Sequence, residues 1–464
     1  MSTPNTPDSN NSDSLYAKRE KIYPRQVHGI FAQLRMLGVI SLMGFFYGTP
    51  WLQWDGRQAV LFDLPGRQFH ILGITFWPQD FFYLAVLLIL AALALFFFTA
   101  LAGRLWCGFA CPQTVWTEVF LWIERKVEGG RPQQIKLDKT DLKHKWLKKT
   151  TKHTIWLVLS LFTGITFVGF FTPIHELWVN FFTFSLGPWE NFWVYFYAFA
   201  TYGNAGWMRE QVCIYMCPYA RFQSAMIDAD TFIIAYDEKR GDPRGSRKKN
   251  EDHREKGLGD CIDCSICVQV CPTGIDIRDG LQYECIGCAA CIDACDDVMK
   301  KMDYPSGLIR YTTQNALEGK LIHLLRPRTI IYASILMITT IMLIASISTR
   351  IPLEVDIIRD RNALYRETDE GLIENVYILK VINMDNIKHT YDMRISGIKD
   401  IKVGDNISTI TVNSGEISSL PLRLQVDPAN LTKRSSKVFF TLSAQDAPEI
   451  RLEQDGRFLG PRTR

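Results

Sequence analysis

Eight cysteines lie in two consecutive runs that share one spacing, and this pattern constrains the fold more than any other feature. Each run reads Cys-x2-Cys-x2-Cys-x3-Cys, which is typical of a pair of cubane 4Fe–4S clusters. Three closely spaced thiolates reach three irons of one cube, while the fourth, after a longer step, is free to reach the other cube. The ligands are therefore expected to cross, with cluster 1 held by Cys261, Cys264, Cys267 and Cys295, and cluster 2 by Cys271, Cys285, Cys288 and Cys291.

Two other uses of such cysteines are less suited to this pattern. Zinc ribbons also use Cys-x2-Cys pairs, but two consecutive runs of four do not suit separate tetrahedral zinc sites. Disulfides are disfavoured because the segment is expected to face a reducing compartment. Asp296 follows Cys295 where a proline is usual, which changes the local turn and leaves the ligation intact. Residues 228–329 are thus predicted to form a bacterial-type dicluster ferredoxin of the α+β class.

The composition indicates a membrane protein. Hydrophobic residues make up 47% of the 464-residue chain. Five stretches of roughly 20 residues are apolar enough to cross a bilayer as helices, namely 34–52, 81–102, 155–173, 192–208 and 330–348. Tyr202, Gly203 and Asn204 interrupt the fourth stretch, so a long helix in a soluble core stays open for it. Residues 1–14 lack the apolar run of a signal peptide and are expected to be a disordered tail.

Basic residues predict the orientation of the chain in the membrane. The loop region 104–152 contains many Lys and Arg, whereas 172–191 contains none. Because basic flanks stay in the cytoplasm, the N-terminal segment 1–33, the loop 104–154 and the ferredoxin are expected there, and the C-terminus outside. The basic stretch 239–256 has no interleaved aromatic residues and the net charge is only +3, so it is interpreted as a solvated linker that does not bind nucleic acid.

The other four cysteines form a second repeated motif, Cys-x3-Cys-Pro. It occurs at Cys107, Cys111 and Pro112, and again at Cys213, Cys217 and Pro218. A spacing of four places both sulfurs on one face of a helix, and such thiols form a soft donor set that suits Cu(I), with Met216 as a neighbouring thioether. Disulfide cycling, zinc binding and simple packing of small apolar residues stay open. A mixed imidazole–thiolate site would need a residue from elsewhere, such as His144 or His153.

Beyond the last apolar stretch the pattern alternates with a period of two. The alternating stretches are 375–383, 391–395, 408–412, 420–426 and 437–443. Short strands at this spacing build an antiparallel sandwich. Residues 349–464 contain no cysteine, so this domain is expected to be stabilised by its apolar core alone and to serve in interaction or scaffolding.

The order of these parts resembles the CcoG family, also called FixG or RdxA, the cytochrome c oxidase accessory proteins. The likeness covers nearly the whole chain, and the Cys-x3-Cys-Pro pairs also resemble those of the NapH and NosR membrane ferredoxins. The resemblance implies a bacterial inner-membrane cupric reductase that supplies Cu(I) for assembly of cbb3-type cytochrome oxidase. It implies two 4Fe–4S clusters on the eight cysteines, and it makes Cys107, Cys111, Cys213 and Cys217 the catalytic, copper-binding candidates.

The predicted fold class is a multi-domain membrane protein with three parts. A five-helix transmembrane α bundle (34–227 and 330–348) carries the cytoplasmic ferredoxin, and a periplasmic immunoglobulin-like β-sandwich follows (349–464). The expected partners are the copper ion, the lipid bilayer, a cytoplasmic or quinol electron donor, and a copper transporter or chaperone with oxidase assembly factors; a homodimer stays open. The rival interpretations are a quinol-linked electron conduit and a redox-sensing scaffold for oxidase assembly.

Overall fold

The computed structural model describes residues 21–139, 145–249, 251, 255–360, 362–404 and 408–461. The predicted disordered tail at 1–14 and the candidate His144 lie outside these residues. The chain divides into two compact units. The first comprises Met1–Gly48, Ala91–Val168 and Trp178–Ile335, and the second comprises Thr49–Leu90, Gly169–Leu177 and Leu336–Arg464.

Helices form most of the chain up to residue 348. Up to residue 201 they are α1 (Ile30–Gly48), α2 (Phe81–Ala102), α3 (Leu105–Phe109), α4 (Pro112–Glu128), α5 (Arg131–Lys139), α6 (Lys145–Val168), α7 (Ile174–Phe182) and α8 (Pro188–Thr201). Two π-helical segments follow, Tyr202–Met208 and Val212–Met216. The remaining helices are α9 (Pro218–Met226), α10 (Glu238–Gly241), α11 (Ile266–Val270), α12 (Ala290–Lys301), α13 (Gln314–Leu317) and α14 (Pro327–Ser348).

The strands fall into a group of short strands between α1 and α2, a ferredoxin pair and a C-terminal domain. The first group is β1 (Gln53–Trp54), β2 (Arg57–Gln58), β3 (Val60–Asp63), β4 (Gln68–Ile71) and β5 (Ile74–Phe76), and the pair is β6 (Ile233–Tyr236) and β7 (Ile309–Thr312). The C-terminal domain contains β8 (Leu353–Arg359), β9 (Arg366–Glu367), β10 (Ile373–Asn383), β11 (His389–Ser396), β12 (Lys402–Val403), β13 (Thr409–Val412), β14 (Ile417–Val426), β15 (Ser435–Ala444) and β16 (Arg451–Leu459).

Among the described residues, four helical segments are long and apolar enough to cross a membrane. They are Ile30–Trp51, Pro78–Ala102, Lys145–Val168 and Pro327–Ser348. The remaining predicted stretch, 192–208, differs: α8 has 14 residues and continues at Tyr202 into the first π-helical segment. The change of helix type falls where Tyr202, Gly203 and Asn204 interrupt the apolar pattern.

Helix α1 begins before the predicted residue 34 because a distant carboxylate caps it. Asp293 on α12 accepts hydrogen bonds from the amides of Phe31 at 3.2 Å and Ala32 at 2.7 Å. The first amides of a helix lack partners within the helix, so an outside acceptor stabilises this start. The apolar pattern around residue 30 contains no such local signal.

In the first unit, helices α4, α6 and α8 pack closely with the first π-helical segment. Gly164 on α6 has no room for a side chain, since a Cβ atom there would meet the Val194 carbonyl of α8. Small residues permit this approach of backbones in membrane helices. Phe120, Trp156 and Ala205 form a buried cluster that joins α4, α6 and the π-helical segment.

The second unit contains the C-terminal antiparallel sandwich. One sheet has the order β12-β14-β10-β8, with β9 also on β10, and the other has the order β13-β11-β15-β16. Tyr377, Leu422 and Phe440 lie fully buried between the sheets. All five predicted strands are present, but the sequence did not predict β8, β16 and the two-residue strands β9 and β12. Most of β16 is exposed, with Phe458 its fully buried residue, so its sequence lacks a clear alternation.

A buried histidine joins two loops of the sandwich. His389 is 1% exposed, and its ring nitrogens lie 2.9 Å from Asp385 and 2.8 Å from Asp446. Burial acts to lower the pKa of His389, but the hydrogen bonds to the two carboxylates outweigh it and raise the pKa. An imidazole with acceptors on both nitrogens is stabilised in its doubly protonated form.

We expect the sandwich to lose stability as the pH rises. The raised pKa means that this contribution is complete below about 6.5, the pKa of an unfolded histidine, and is lost as the pH rises through the folded value. Amide hydrogen exchange of β11 and β15 in the full-length protein, corrected for intrinsic rates, should therefore accelerate at alkaline pH. The His389→Gln variant should remove this pH dependence, and an identical profile in the variant would contradict the assignment.

Candidate metal centres

The crossed cysteine sets line two separate cavities in the ferredoxin region. The cluster 1 cavity is lined by Cys261, Cys264, Cys267 and Cys295. The cluster 2 cavity is lined by Cys271, Cys285, Cys288 and Cys291, with Cys267 at its border with the first cavity. All eight are free thiols. Each cavity therefore offers the four thiols that a cubane cluster needs.

The two cysteine runs share an unusual local backbone. Asp263 and Gly287 occupy the same position in their runs and have φ of 53° and 70°. Ser265 and Ala289, also equivalent, have φ of 52° and 59°. Left-handed backbone costs a residue with a side chain roughly 1–2 kcal/mol, so its repetition at matching positions indicates one structural unit used twice.

Exposure differs between the two cysteine sets. Cys264 of the cluster 1 set is exposed, whereas none of the four thiols of the cluster 2 set is. Burial raises the pKa of Cys288 to about 12. A thiol with this pKa is protonated at neutral pH until a metal displaces the proton, so cluster loading should release protons.

Helix α3, which carries Cys107, lies directly on the loop of the cluster 2 set. A Cβ atom at Gly108 would lie 2.6 Å from the Gly287 carbonyl oxygen, and a Cβ atom at Gly287 would lie 2.9 Å from the Arg104 carbonyl oxygen. Neither position has room for a side chain. The Arg104 guanidinium donates to the Cys285 carbonyl at 3.1 Å, and Arg35 donates to that of Cys288. The first Cys-x3-Cys-Pro motif is thus in backbone contact with the cluster 2 loop.

Each Cys-x3-Cys-Pro motif breaks a helix at its second cysteine, so the prediction of two sulfurs on one continuous helical face is wrong. Cys111 has φ −60° and ψ 129°, and Cys217 has φ −78° and ψ 109°. Both residues are extended and precede a proline at the first position of the next helix, α4 or α9. Proline favours that position and disfavours helical backbone in the residue before it.

The structure brings the two thiol pairs near each other. Burial raises the pKa of Cys213 to about 12, and Cys111, Cys107 and Cys217 add to the shift through their charges. Burial likewise raises the pKa of Cys107 to about 11, with contributions from Cys111 and Cys217. Such mutual influence requires the four thiols to occupy one region.

Among the described residues, neither the membrane thiols nor the ferredoxin cysteines are drawn together as they would be around a single ion. Within the described part of the chain, no three His, Cys, Asp or Glu side chains converge closely enough to hold one metal ion. Met216 is 58% exposed, and His153 Nδ1 lies 2.9 Å from the Tyr202 hydroxyl. The Cys107 thiol donates to Gln223 Oε1 at 3.3 Å. The arrangement is therefore two neighbouring thiol pairs.

A buried charge network that the sequence did not predict holds the two motifs together. Arg209, just before the second motif, donates to Glu124 on α4 at 2.6 Å, and Lys152 on α6 lies 3.3 Å from the same carboxylate. Gln113, just after the first motif, donates to the carbonyls of Asn204 at 2.9 Å and Arg209 at 3.1 Å. One sequence signal could have indicated this network: in the helix that became α4, the charged residue Glu124 lies beside Ile123 on the apolar side.

The fold and these sites define a membrane-associated dicluster iron–sulfur protein with an immunoglobulin-like domain. Three family models match the chain: "4Fe-4S dicluster domain" over residues 208–314, "4Fe-4S binding domain" over 84–129, and "IG-like fold at C-terminal of FixG" over 343–461. The second of these contains Cys107 and Cys111.

The chain belongs to the FixG/RdxA family. It is 41% identical to Protein RdxB of Cereibacter sphaeroides over 89% of this chain and 90% of the relative. It is 40% identical to Protein RdxA of the same organism, over 83% and 84% of the two chains. Nitrogen fixation protein FixG of Rhizobium meliloti is 37% identical, over 83% of this chain and 80% of the relative.

Solved structures also match part of the chain, including one of a FixG-related protein. The crystal structure of a FixG-related protein from Vibrio parahaemolyticus is 33% identical and has a TM-score of 0.22, covering 23% of this chain and 95% of that chain.

The ferredoxin domains support redox activity by electron transfer in this membrane protein.

Proposed function

We propose that this protein is a cupric reductase that supplies Cu(I) for assembly of a cbb3-type cytochrome c oxidase. The observation that carries the proposal is the contact of α3 with the cluster 2 loop at Gly108 and Gly287, which places Cys107 beside the cluster 2 set. The cluster held by these cysteines would be the electron donor, and the Cys107 thiol, a soft metal ligand, lies next to them. Delivery of Cu(I) to a transporter or chaperone would follow.

The eight ferredoxin cysteines would hold the two clusters in the crossed sets, and their cavities support this assignment. When bound, each 4Fe–4S cluster supplies storage for one electron. The chain's own contribution is to enclose the cluster 2 set, and to fix its loop through Arg104 and Arg35.

The membrane thiols would bind the copper. Thiolates select Cu(I) over harder ions because they are soft ligands. Since the thiols form two neighbouring pairs, we infer that Cu(I) is held by the two thiolates of one pair, Cys107 with Cys111 or Cys213 with Cys217. Their raised pKa values mean that binding releases protons, so copper affinity should rise with pH.

We further infer that the ferredoxin faces the cytoplasm and the sandwich the periplasm of a bacterial inner membrane. The second unit contains the residues after α1, those after α6 and those after α14. Hydrogen bonds join these segments within the second unit. The Phe62 amide donates to the Phe170 carbonyl at 2.7 Å, and the Asn386 side chain in the sandwich donates to the Gly73 carbonyl at 3.0 Å. With α1, α2, α6 and α14 as crossings, this proposed sidedness assigns a fifth crossing to α8 and the first π-helical segment, residues 188–208.

The test is copper reduction by the purified protein under anaerobic conditions. Protein reduced with dithionite and freed of excess reductant should convert about two Cu(II) to Cu(I), one for each electron stored in two clusters. A Cu(I)-specific chelator and paramagnetic resonance of the clusters would report both sides of the transfer. Clusters that stay reduced when Cu(II) is added would overturn the proposal.

A second candidate for the membrane thiols is a further iron–sulfur cluster. The matched "4Fe-4S binding domain" contains Cys107 and Cys111, and four thiols in one region could supply its ligands. Iron analysis separates the two, because two 4Fe–4S clusters contain about eight iron atoms per chain and a third cluster would exceed that number.

The Gly108→Ala variant should slow the reoxidation of the clusters by Cu(II). Its Cβ atom would lie 2.6 Å from the Gly287 carbonyl, so α3 and the cluster 2 loop must separate. We expect a several-fold decrease in rate, because electron transfer slows exponentially as donor and acceptor move apart. Stopped-flow absorbance would measure the rate. Gly48→Ala, where a Cβ atom meets nothing within 4 Å, is the matched control, and equal rates for the two variants would contradict the prediction.

A further inference from the structure

A cavity of about 350 Å³ lies in the first unit between α1, α4 and the cluster 2 loop. Cys288 and Pro272 of the ferredoxin and Trp122 of α4 are part of its wall. The extended segment before α1 covers one side, held by a hydrogen bond of 2.8 Å from the Arg25 amide to the Gln269 carbonyl. The cavity volume falls within the range of about 300–1,000 Å³ that is usual for small-molecule sites.

An apolar groove of about 290 Å³ continues from this cavity along the membrane helices. The groove and the cavity share Met36, Glu118 and Trp122. Beyond these, the groove is lined by Val39, Ile40, Met43, Val119 and Leu159, with Tyr47 at its wall. Because α1 and α6 are candidate spans, the groove follows the depth of the bilayer.

The charged residues at the cavity favour a ligand with oxygen acceptors, although Cys213, one of the copper candidates, also lies in the wall. Arginines outnumber carboxylates in its wall, which includes Arg25, Arg35, Arg125, Arg209, Glu118 and Glu210. Arg125 is paired with Glu118 at 2.9 Å, and Arg209 with Glu124 at 2.6 Å. Guanidinium groups donate hydrogen bonds and accept none, so this wall suits a ligand that presents oxygen acceptors.

We propose that the cavity and the groove together bind a lipid-soluble quinol, with its ring beside Cys288 and its isoprenoid tail in the groove. The inference rests on the proposed function, in which Cys288 is a ligand of cluster 2, and it names the electron donor. Oxidation of one quinol to the quinone releases two electrons and two protons. Clusters held by the eight ferredoxin cysteines would supply the acceptors for these two electrons, one each, and two Cu(II) would be the final oxidant. The two protons would leave past the exposed His28 at the cavity wall.

The Met36→Trp variant tests the site, because Met36 lies where the cavity meets the groove. The full-length protein with its clusters would be placed in lipid nanodiscs and titrated with decylubiquinone and with a naphthoquinone carrying the same tail. We expect Met36→Trp to weaken binding of the preferred quinone by at least tenfold. Leu37→Trp is the matched control, since Leu37 is the next residue on α1, is 61% exposed and lines neither space.

A second readout is the bleaching of cluster absorbance by the corresponding quinol without copper. It should occur in the unchanged protein and in Leu37→Trp, and be lost in Met36→Trp. Copper reduction after dithionite treatment should be equal in the unchanged protein and in Leu37→Trp, and its absence from the unchanged protein would count against the proposed function alone. Equal quinone affinity in the two tryptophan variants, a phospholipid that quinone does not displace, or cluster reduction only by a soluble donor would each overturn the quinol site.

Discussion

The double variant Cys107→Ser, Cys213→Ser should lose copper reduction while it keeps both ferredoxin clusters. It removes one thiol from each membrane pair, so neither pair retains two thiolates for Cu(I). We expect the rate of copper reduction to fall by more than about a hundredfold. Mutation of a residue that only orients a metal ligand already lowers metal affinity or activity by about 10–100-fold. The measurement is Cu(I) formed by the dithionite-reduced protein, with cluster absorbance recorded on the same sample.

Two matched variants make this result specific. Met216→Ala alters an exposed residue of the same π-helical segment and should retain copper reduction. Cys288→Ser should lose iron together with activity, because it removes a thiol of the cluster 2 cavity. Unchanged copper reduction in the double variant would refute the role of the membrane thiols. A loss of iron in the double variant would instead favour a third cluster.

The Glu124→Gln variant should destabilise the first unit by about 3–5 kcal/mol, the usual cost of breaking a buried ion pair from one side. The Glu124 side chain is 2% exposed, and its partners Arg209 and Lys152 are 8% and 4% exposed. Burial acts to raise the pKa of Glu124, but the charges of Arg209, Lys152 and Lys21 outweigh it and lower the pKa. The variant therefore leaves buried cations without this carboxylate.

Equilibrium denaturation of the detergent-solubilised protein would measure this loss. Glu118→Gln is the control on the same helix, because its pair with Arg125 is partly exposed and should be worth less than about 1 kcal/mol. Since Arg209 precedes the second thiol motif, Glu124→Gln should also reduce copper turnover. Equal stability of the two variants would show that the buried network does not hold the motifs together.

Much of the ferredoxin could be predicted because its signal is local. Cysteine spacing limits which thiols can reach one cube, so the crossed sets could be assigned before the two cavities were seen. The alternating strands were recognised for a similar reason, since burial of one face leaves a period of two in the sequence. The exposed strand β16 lacks that period and was missed.

Local rules were less reliable where a proline or a distant residue determined the geometry. A spacing of four suggested one helical face for Cys107 and Cys111, yet Pro112 starts a new helix and leaves Cys111 extended. The start of α1 depends on Asp293, a residue more than 250 positions away. The residue pattern of one segment contains no information about a capping side chain that belongs to a distant segment.

The sequence by itself predicted the two crossed cysteine sets and determined the repeated thiol pairs, the apolar stretches and most of the longer sandwich strands, because each depends on residues that are close along the chain. Only the tertiary structure decided that Cys107 lies beside the cluster 2 loop, that Glu124 joins the two thiol motifs, and that a cavity opens next to Cys288. These arrangements come from long-range packing of separate helices and loops. The stability of each arrangement depends on which surfaces pack against each other, and no local pattern of residue types specifies which surfaces these are.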